Sequence, residues 1–216
     1  MSWEGWVWPV AITDGREPVI SDKYQLHESA DHRMHTGVDI LFKKRPGDPR
    51  ERVKHTASLL YIAPQGTKIL AAGPGKIWST GSSERGLNIL VDHGNVPGFG
   101  PMTTWYQHLA SFSRNWRKGD VVRPGAVLGD MGYPTTDGEQ LRHLHFEVRN
   151  PTSPIDPAPY LRLWRKTAAS SSEGTAPERG DTAPQRGSLV LPLAIGGGFL
   201  LVGLLVASAA AKDDLV

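Results

Sequence analysis

The chain has 216 residues, 39% hydrophobic and 21% charged, which leaves room for one ordinary core with some length to spare and excludes a disordered protein. Its 24 basic and 22 acidic residues give a net charge of +2 and are spread along the chain, so composition makes no case for a nucleic-acid partner. With no cysteine, disulfides are excluded and any metal must sit on histidine and carboxylate.

The opening Met1-Ser2-Trp3-Glu4-Gly5-Trp6-Val7-Trp8-Pro9 has neither a basic leader nor an uninterrupted apolar run, and does not read as a secretory signal. The first strand is expected over 37–42. At strand periodicity, His35 and Asp39 in His35-Thr36-Gly37-Val38-Asp39-Ile40 stand at an even spacing and share one face. Residues 43–55 carry Lys43, Lys44, Arg45, Arg50, Arg52 and Lys54 and read as a solvated loop. Further strands are expected over 68–72, 75–80, 88–93, 103–108, 126–131 and 145–149. They are separated by turn residues at Gly73-Pro74-Gly75, Val96-Pro97-Gly98-Phe99-Gly100 and Arg123-Pro124-Gly125. None is long enough for a typical helix, so the pattern predicts an antiparallel β domain.

In His143-Leu144-His145-Phe146-Glu147-Val148, two imidazoles at i and i+2 project from one strand face, about 6.6 Å apart at strand rise. One can bind a metal while the other works beside it. Together with His35 and Asp39 they supply three nitrogen or oxygen ligands. Three protein ligands with one open position is what a catalytic zinc site requires, whereas structural zinc closes its shell with four, usually including thiolates. Glu147 stands two residues beyond His145, placed to support that imidazole or to pair with Arg149. His27, His32, His55 and His93 read as surface or hydrogen-bonded histidines, and Tyr106 as core.

Beyond the β pattern, 166–187 is small and polar and reads as a flexible tether. Residues 189–211 contain no charge over 23 positions, about 34 Å as a helix, enough to cross a hydrocarbon core of about 30 Å. A membrane span is expected there, with Gly203, Ala207 and Ala211 on a stripe that would let a second helix approach.

Four segments stand in order: His35-Thr36-Gly37-Val38-Asp39, Trp105-Tyr106-Gln107-His108-Leu109, Lys118-Gly119-Asp120-Val121-Val122-Arg123-Pro124-Gly125 and His143-Leu144-His145-Phe146-Glu147. This arrangement resembles the lysostaphin-like zinc metalloendopeptidases of peptidoglycan, over about 35–161. Their pattern is an HxxxD pair, a Tyr-x-His-Leu element, a Gly-Asp-x-Val turn and a His-Leu-His-Phe-Glu strand. The resemblance implies an all-β, antiparallel, sandwich or barrel-like peptidase domain that binds zinc. Carried over position by position, it makes His35, Asp39 and His145 the zinc ligands and His108 and His143 the non-ligating catalytic imidazoles. It implies cleavage of peptide bonds in peptidoglycan stems or cross-bridges. Its alternative is a catalytically silent relative that binds cell wall or activates another hydrolase. Three departures stand out: no Gly-x-Arg precedes the first ligand, 43–60 is a charged insertion, and 132–140 is atypical.

The expected organisation is thus a peptidase domain at 1–165, a linker at 166–187, a single C-terminal transmembrane helix at 188–211 and a polar tail at 212–216. Arg162, Arg165, Lys166, Arg179 and Arg186 precede the expected span and only Lys212 follows it, which would leave the domain on the cytoplasmic side, opposite the peptidoglycan. A phage lysin, held in a virion membrane or released at lysis, would reconcile the two. Anchoring in a cell envelope is the other expectation.

Overall fold

The structure, a computed structural model, describes residues 3–26, 34–49, 59–83, 85–134 and 141–169. Its strands are β1 (Pro18–Asp22), β2 (Gln25–Leu26), β3 (Met34–His35), β4 (Val38–Lys43), β5 (Tyr61–Ile62), β6 (Lys68–Leu70), β7 (Gly75–Ser83), β8 (Gly86–Val96), β9 (Gly100–Phe112), β10 (Val121–Val122), β11 (Val127–Met131), β12 (Leu144–Asn150) and β13 (Ser153–Ile155). One short helix, α1 (Ala158–Leu161), follows. Every run expected to be a strand is one. The turns at Gly73-Pro74-Gly75, Val96 to Gly100 and Arg123-Pro124-Gly125 fall between β6 and β7, β8 and β9, and β10 and β11.

Eleven strands join one antiparallel sheet, whose main path runs β1-β4-β12-β9-β8-β7-β10. Off that path, β11 pairs with both β6 and β9, β13 with β12, and β5 with β4; β2 and β3 form a separate two-stranded ribbon. Alternation sorts the side chains of the central strands. Val38, Ile40 and Phe42 of β4, Leu144, Phe146 and Val148 of β12, and Tyr106 of β9 are fully buried. Phe146 stands directly opposite Val38 on one side and Tyr106 on the other, which fixes the register. The same register sends the next residue of each strand to the opposite face, and there His145 stands opposite both Asp39 and Gln107.

The tryptophan-rich opening is part of this domain. Val7 N and Leu70 N donate to Ala72 O and Pro9 O, and Trp8 N and Ile12 N donate to Arg165 O and Thr167 O. The segment is therefore laced between β6 and the chain after α1. Trp6 stacks on Trp164 at 5.0 Å and meets Trp3 edge-on at 5.1 Å, while Trp8 Nε1 donates to Leu161 O at 2.6 Å. Gly73 lies so close to Trp6 that an added Cβ would come within 2.5 Å of the indole ring.

The expected fold class needs one correction, the single C-terminal transmembrane helix. Among the described residues no helix is long and apolar enough to cross a membrane. The helix that is present, α1, has four residues, about 6 Å of rise against a hydrocarbon core of about 30 Å. Absence of charge describes composition, whereas a span also needs a continuous helix that satisfies every backbone hydrogen bond. The uncharged stretch at 189–211 and the expected linker beyond 169 lie outside the described residues, as do 50–58 of the charged insertion, 135–140, and His27, His32 and His55.

Candidate metal centre

Two of the expected ligands follow from the register, because Asp39 and His145 are direct partners across β4 and β12. The third arrives differently. His35 ends β3 and Asp39 lies in β4, so the two do not share a strand face as their even spacing suggests; the chain turns between them at Thr36-Gly37. Gly37 permits that turn by passing tightly over β12. A Cβ there would lie 2.4 Å from Phe146 O, 2.9 Å from His145 Nε2 and 3.0 Å from Glu147 Cγ.

Three atoms then meet. His35 Nε2 is 3.1 Å from Asp39 Oδ1 and 3.0 Å from His145 Nδ1, and His145 Nδ1 is 3.1 Å from Asp39 Oδ1. Among the described residues these three side chains form the His/Asp/Glu group able to hold a metal ion. The outer hydrogen bonds decide which nitrogens face inward. Carbonyls only accept, so His35 Nδ1–H donates to Lys23 O at 2.7 Å and leaves the Nε2 lone pair pointing at the triangle. His145 Nε2–H faces Glu147 Oε1 at 3.3 Å and leaves the Nδ1 lone pair pointing there too.

The two remaining imidazoles flank this group. His143, just before β12, donates from Nδ1 to Leu141 O at 2.7 Å and places Nε2 3.6 Å from Asp39 Oδ2. His108 donates from Nδ1 to Arg85 O at 2.5 Å, and its ring centroid is 4.7 Å from that of His143 and 6.0 Å from that of His145. Strict alternation would put His108 on the core face with Tyr106, two residues earlier. The backbone escapes alternation at His108, which has φ +65°, a left-handed conformation that is costly for a side-chain-bearing residue. The register of β9 slips on both sides of this point, between Leu87 and Ile89 of β8 and between Asp130 and Met131 of β11. Gly132 N–H donates to His108 O at 2.7 Å, in a space where a Cβ would be 2.5 Å from Ala110 N.

Charge is concentrated here. Burial alone would raise the Asp39 carboxyl, but His143, His145 and His35 together hold it well below the usual carboxylate range. Burial would lower His145, yet hydrogen bonds to Asp39 and Glu147 raise it to about 9. His35 is raised in the same way, the Asp39 hydrogen bond outweighing burial. His108 goes the other way, lowered to about 4 by burial with His143 beside it. The triangle therefore attracts positive charge while His108 stays neutral.

Next to it, Ser79, Asn88, Leu90, Trp105, Arg149, Pro151 and Thr152 line a groove of about 250 Å³. Trp105 stands opposite Glu147 on β12 and Leu90 on β8, two residue pairs along from His145 and Gln107 and so on the same side of the sheet, and the groove continues the face that carries the triangle. His93, read as hydrogen-bonded, is so: its Nδ1 donates to Pro74 O at 2.7 Å and its Nε2 lies 2.8 Å from Thr104 Oγ1, with Trp6 packed on the ring. Thr104 Oγ1 is 3.0 Å from the hydroxyl of Tyr106, which accepts from Ala72 N at 2.8 Å. Tyr106 thus ties strands together in the core.

Sequence reasoning anticipated His145 and Arg149 as partners of Glu147 but missed Thr36 and Gln107. Thr36 Oγ1 at 2.8 Å and Gln107 Nε2 at 3.3 Å donate to its Oε1, and Arg149 Nη1 at 2.7 Å to its Oε2. No local pattern marks Thr36 or Gln107, which lie 111 and 40 positions from the carboxylate they hold.

Residues 54–157 match Peptidase family M23. Those limits contain His108, His143 and His145, while His35 and Asp39 lie before them. The uncharacterized lipoprotein YgeR of Escherichia coli K12 is 36% identical over 101 residues, 46% of this chain and 36% of that protein. The L-Ala--D-Glu endopeptidase of Bacillus subtilis 168 is 31% identical over 71 residues, 29% of this chain and 22% of that protein. The chain thus spans about a third and a fifth of the length of these relatives. Among solved structures, the SpoIIIAH–SpoIIQ complex is similar in fold at a TM-score of 0.50 and 17% identity, over 72% of this chain and 99% of that one. The match to peptidase family M23 thus takes in 104 of the 216 residues.

Proposed function

We propose that this chain belongs to peptidase family M23 and is a zinc-dependent endopeptidase that hydrolyses peptide bonds in the stems or cross-bridges of peptidoglycan. The observation that carries the reading is the triangle of His35 Nε2, Asp39 Oδ1 and His145 Nδ1, with edges of 3.0 to 3.1 Å and both lone pairs turned inward by outer hydrogen bonds. A tetrahedral zinc site with bonds of about 2.0–2.1 Å separates its ligand atoms by roughly 3.3 Å, so the three side chains fit the ion with only small adjustment. Two imidazoles and one carboxylate, with no thiolate, are the donor set of a catalytic rather than a structural site.

When bound, zinc supplies a Lewis acid that polarises a scissile carbonyl and makes nearby water more acidic. The rest is done by this chain's residues. His35, Asp39 and His145 hold the ion, two of them from the same sheet. His108, kept neutral by burial and with its Nδ1 proton committed to Arg85 O, has an Nε2 lone pair free to take a proton from the attacking water. His143, committed through Nδ1 to Leu141 O, likewise offers Nε2 beside Asp39. As a facing pair the two imidazoles can take up a proton and return it to the leaving amine. The groove along Trp105 and Asn88 would carry the adjoining part of the substrate. That one relative is named a lipoprotein and another an L-Ala--D-Glu endopeptidase supports both the cell-envelope setting and the substrate class.

The test is zinc content and muropeptide release from purified sacculi by the full chain, with and without a chelator and with His145→Ala. One zinc per chain, and release lost on both chelation and substitution, is the expected result. Binding to sacculi with no product at any zinc concentration overturns it.

A further inference from the structure

Glu147 has 1% of its surface exposed, deeper than Asp39, whose side chain is 20% exposed. An uncompensated carboxylate in such a place costs several kcal/mol, and here four donors compensate it. Oε1 receives Thr36 Oγ1, Gln107 Nε2 and His145 Nε2, and Oε2 receives Arg149 Nη1. Arg149 is itself held, by Nε and Nη2 on Thr152 O, and lies over the Trp105 ring at 5.2 Å. Two of the donors lie beside ligands: Thr36 follows His35 in the chain, and Gln107 stands opposite His145 on β9. The carboxylate is therefore braced from β12, from β9 and from the turn that delivers His35.

We infer that Glu147 is a positioning residue which sets the affinity of the candidate metal centre. It fixes His145 in the tautomer with the proton on Nε2, so that Nδ1 faces His35 and Asp39. Thr36, Gln107 and Arg149 form the clamp that keeps Glu147 aimed. The inference rests on the reading of His35, Asp39 and His145 as zinc ligands, and adds which groups outside that set control it. An imidazole without such a partner can rotate or place its proton on Nδ1, and then presents N–H rather than a lone pair to the ion. Loss of a partner of this kind typically weakens metal binding by about 10–100-fold. An ion pair serving only to bury Arg149 predicts no change at the metal.

The experiment measures the zinc dissociation constant of the full chain by chelator competition, together with the His145 tautomer in the zinc-loaded protein by two-bond proton–nitrogen NMR correlation. Glu147→Ala and the near-isosteric Glu147→Gln should weaken zinc binding about 10–100-fold, and the slowly exchanging His145 Nε2 proton of the wild type should be lost in Glu147→Ala. Thr36→Val and Gln107→Leu, which leave the carboxylate and its arginine in place, should weaken zinc by a smaller factor and broaden the same resonance. They keep the test decisive if Glu147→Ala does not fold. Wild-type zinc affinity and an unchanged Nε2 proton in Glu147→Gln, Thr36→Val and Gln107→Leu overturn this inference alone. A wild-type chain that takes up no zinc overturns the metal reading and this inference with it.

Discussion

His108 sits at φ +65° two residues after the fully buried Tyr106, so a single backbone torsion separates a core side chain from one that faces His143. The sequence marks both residues through the Tyr-x-His-Leu element, but nothing in a period-two pattern announces the reversal. The proposed ligands were more legible: the His-x-His strand and the His/Asp pair pointed to one group, and the structure brings atoms of His35, Asp39 and His145 within 3.1 Å. What spacing could not show is that Gly37 turns the chain between His35 and Asp39, because that depends on how closely β12 passes beneath. The proposed roles separate cleanly by substitution. His35→Ala, Asp39→Ala and His145→Ala should each lose both zinc and hydrolysis. His108→Ala and His143→Ala should keep stoichiometric zinc and lose about 10²–10⁴-fold in kcat. Metal analysis alongside turnover distinguishes the two groups, and zinc loss in His108→Ala would contradict its role.

The seven expected strands were legible because each is long enough to show apolar alternation between turn residues. The two-residue elements β2, β3, β5 and β10 were not, since two positions carry no period. The close approach of the Gly37 turn to the backbone of β12 is equally invisible in sequence and makes Gly37 a sharp test. In Gly37→Ala the new methyl meets backbone, Phe146 O at 2.4 Å, so the strands must separate. A loss of about 1–3 kcal/mol in urea unfolding is expected, together with weaker zinc binding; unchanged affinity would show that this close approach does not position the proposed ligands. The opening segment is another case. Composition did not mark its place in the core, whereas the structure sets Trp6 on Trp164 and against Gly73. Removing the indole in Trp6→Ala should cost about 3–5 kcal/mol, read by the same unfolding experiment, with the metal affinity of the surviving folded fraction unchanged.

Across the whole molecule, acid sensitivity follows from its buried histidines. Burial lowers both His93 and His108 to about 4, below the ordinary value of 6.5. The unfolded chain therefore binds protons that the folded chain refuses. The associated stability is fully present above pH 6.5 and is lost as pH falls from there towards 4. His93→Gln, at a ring held by Pro74, Thr104 and Trp6, should flatten part of this decline, and denaturant midpoints measured from pH 7 to 4 would show it. On the sheet face, the groove along Trp105 predicts that Trp105→Ala raises KM for muropeptide substrates more than it lowers kcat, because the residue lies two register pairs away from the triangle. A selective fall in kcat would place Trp105 in the reaction itself.

The separate ribbon of β2 and β3 gives His35 a consequence of another kind. An ion gripping His35 and His145 would join positions 110 residues apart, the topological task that a disulfide performs elsewhere. On loop-entropy grounds, a clasp across about 100 residues is worth roughly 4–5 kcal/mol. Since the chain has no cysteine, such a cross-link would be indifferent to thiol reductants. The domain would hold the same fastening under reducing and under oxidising conditions.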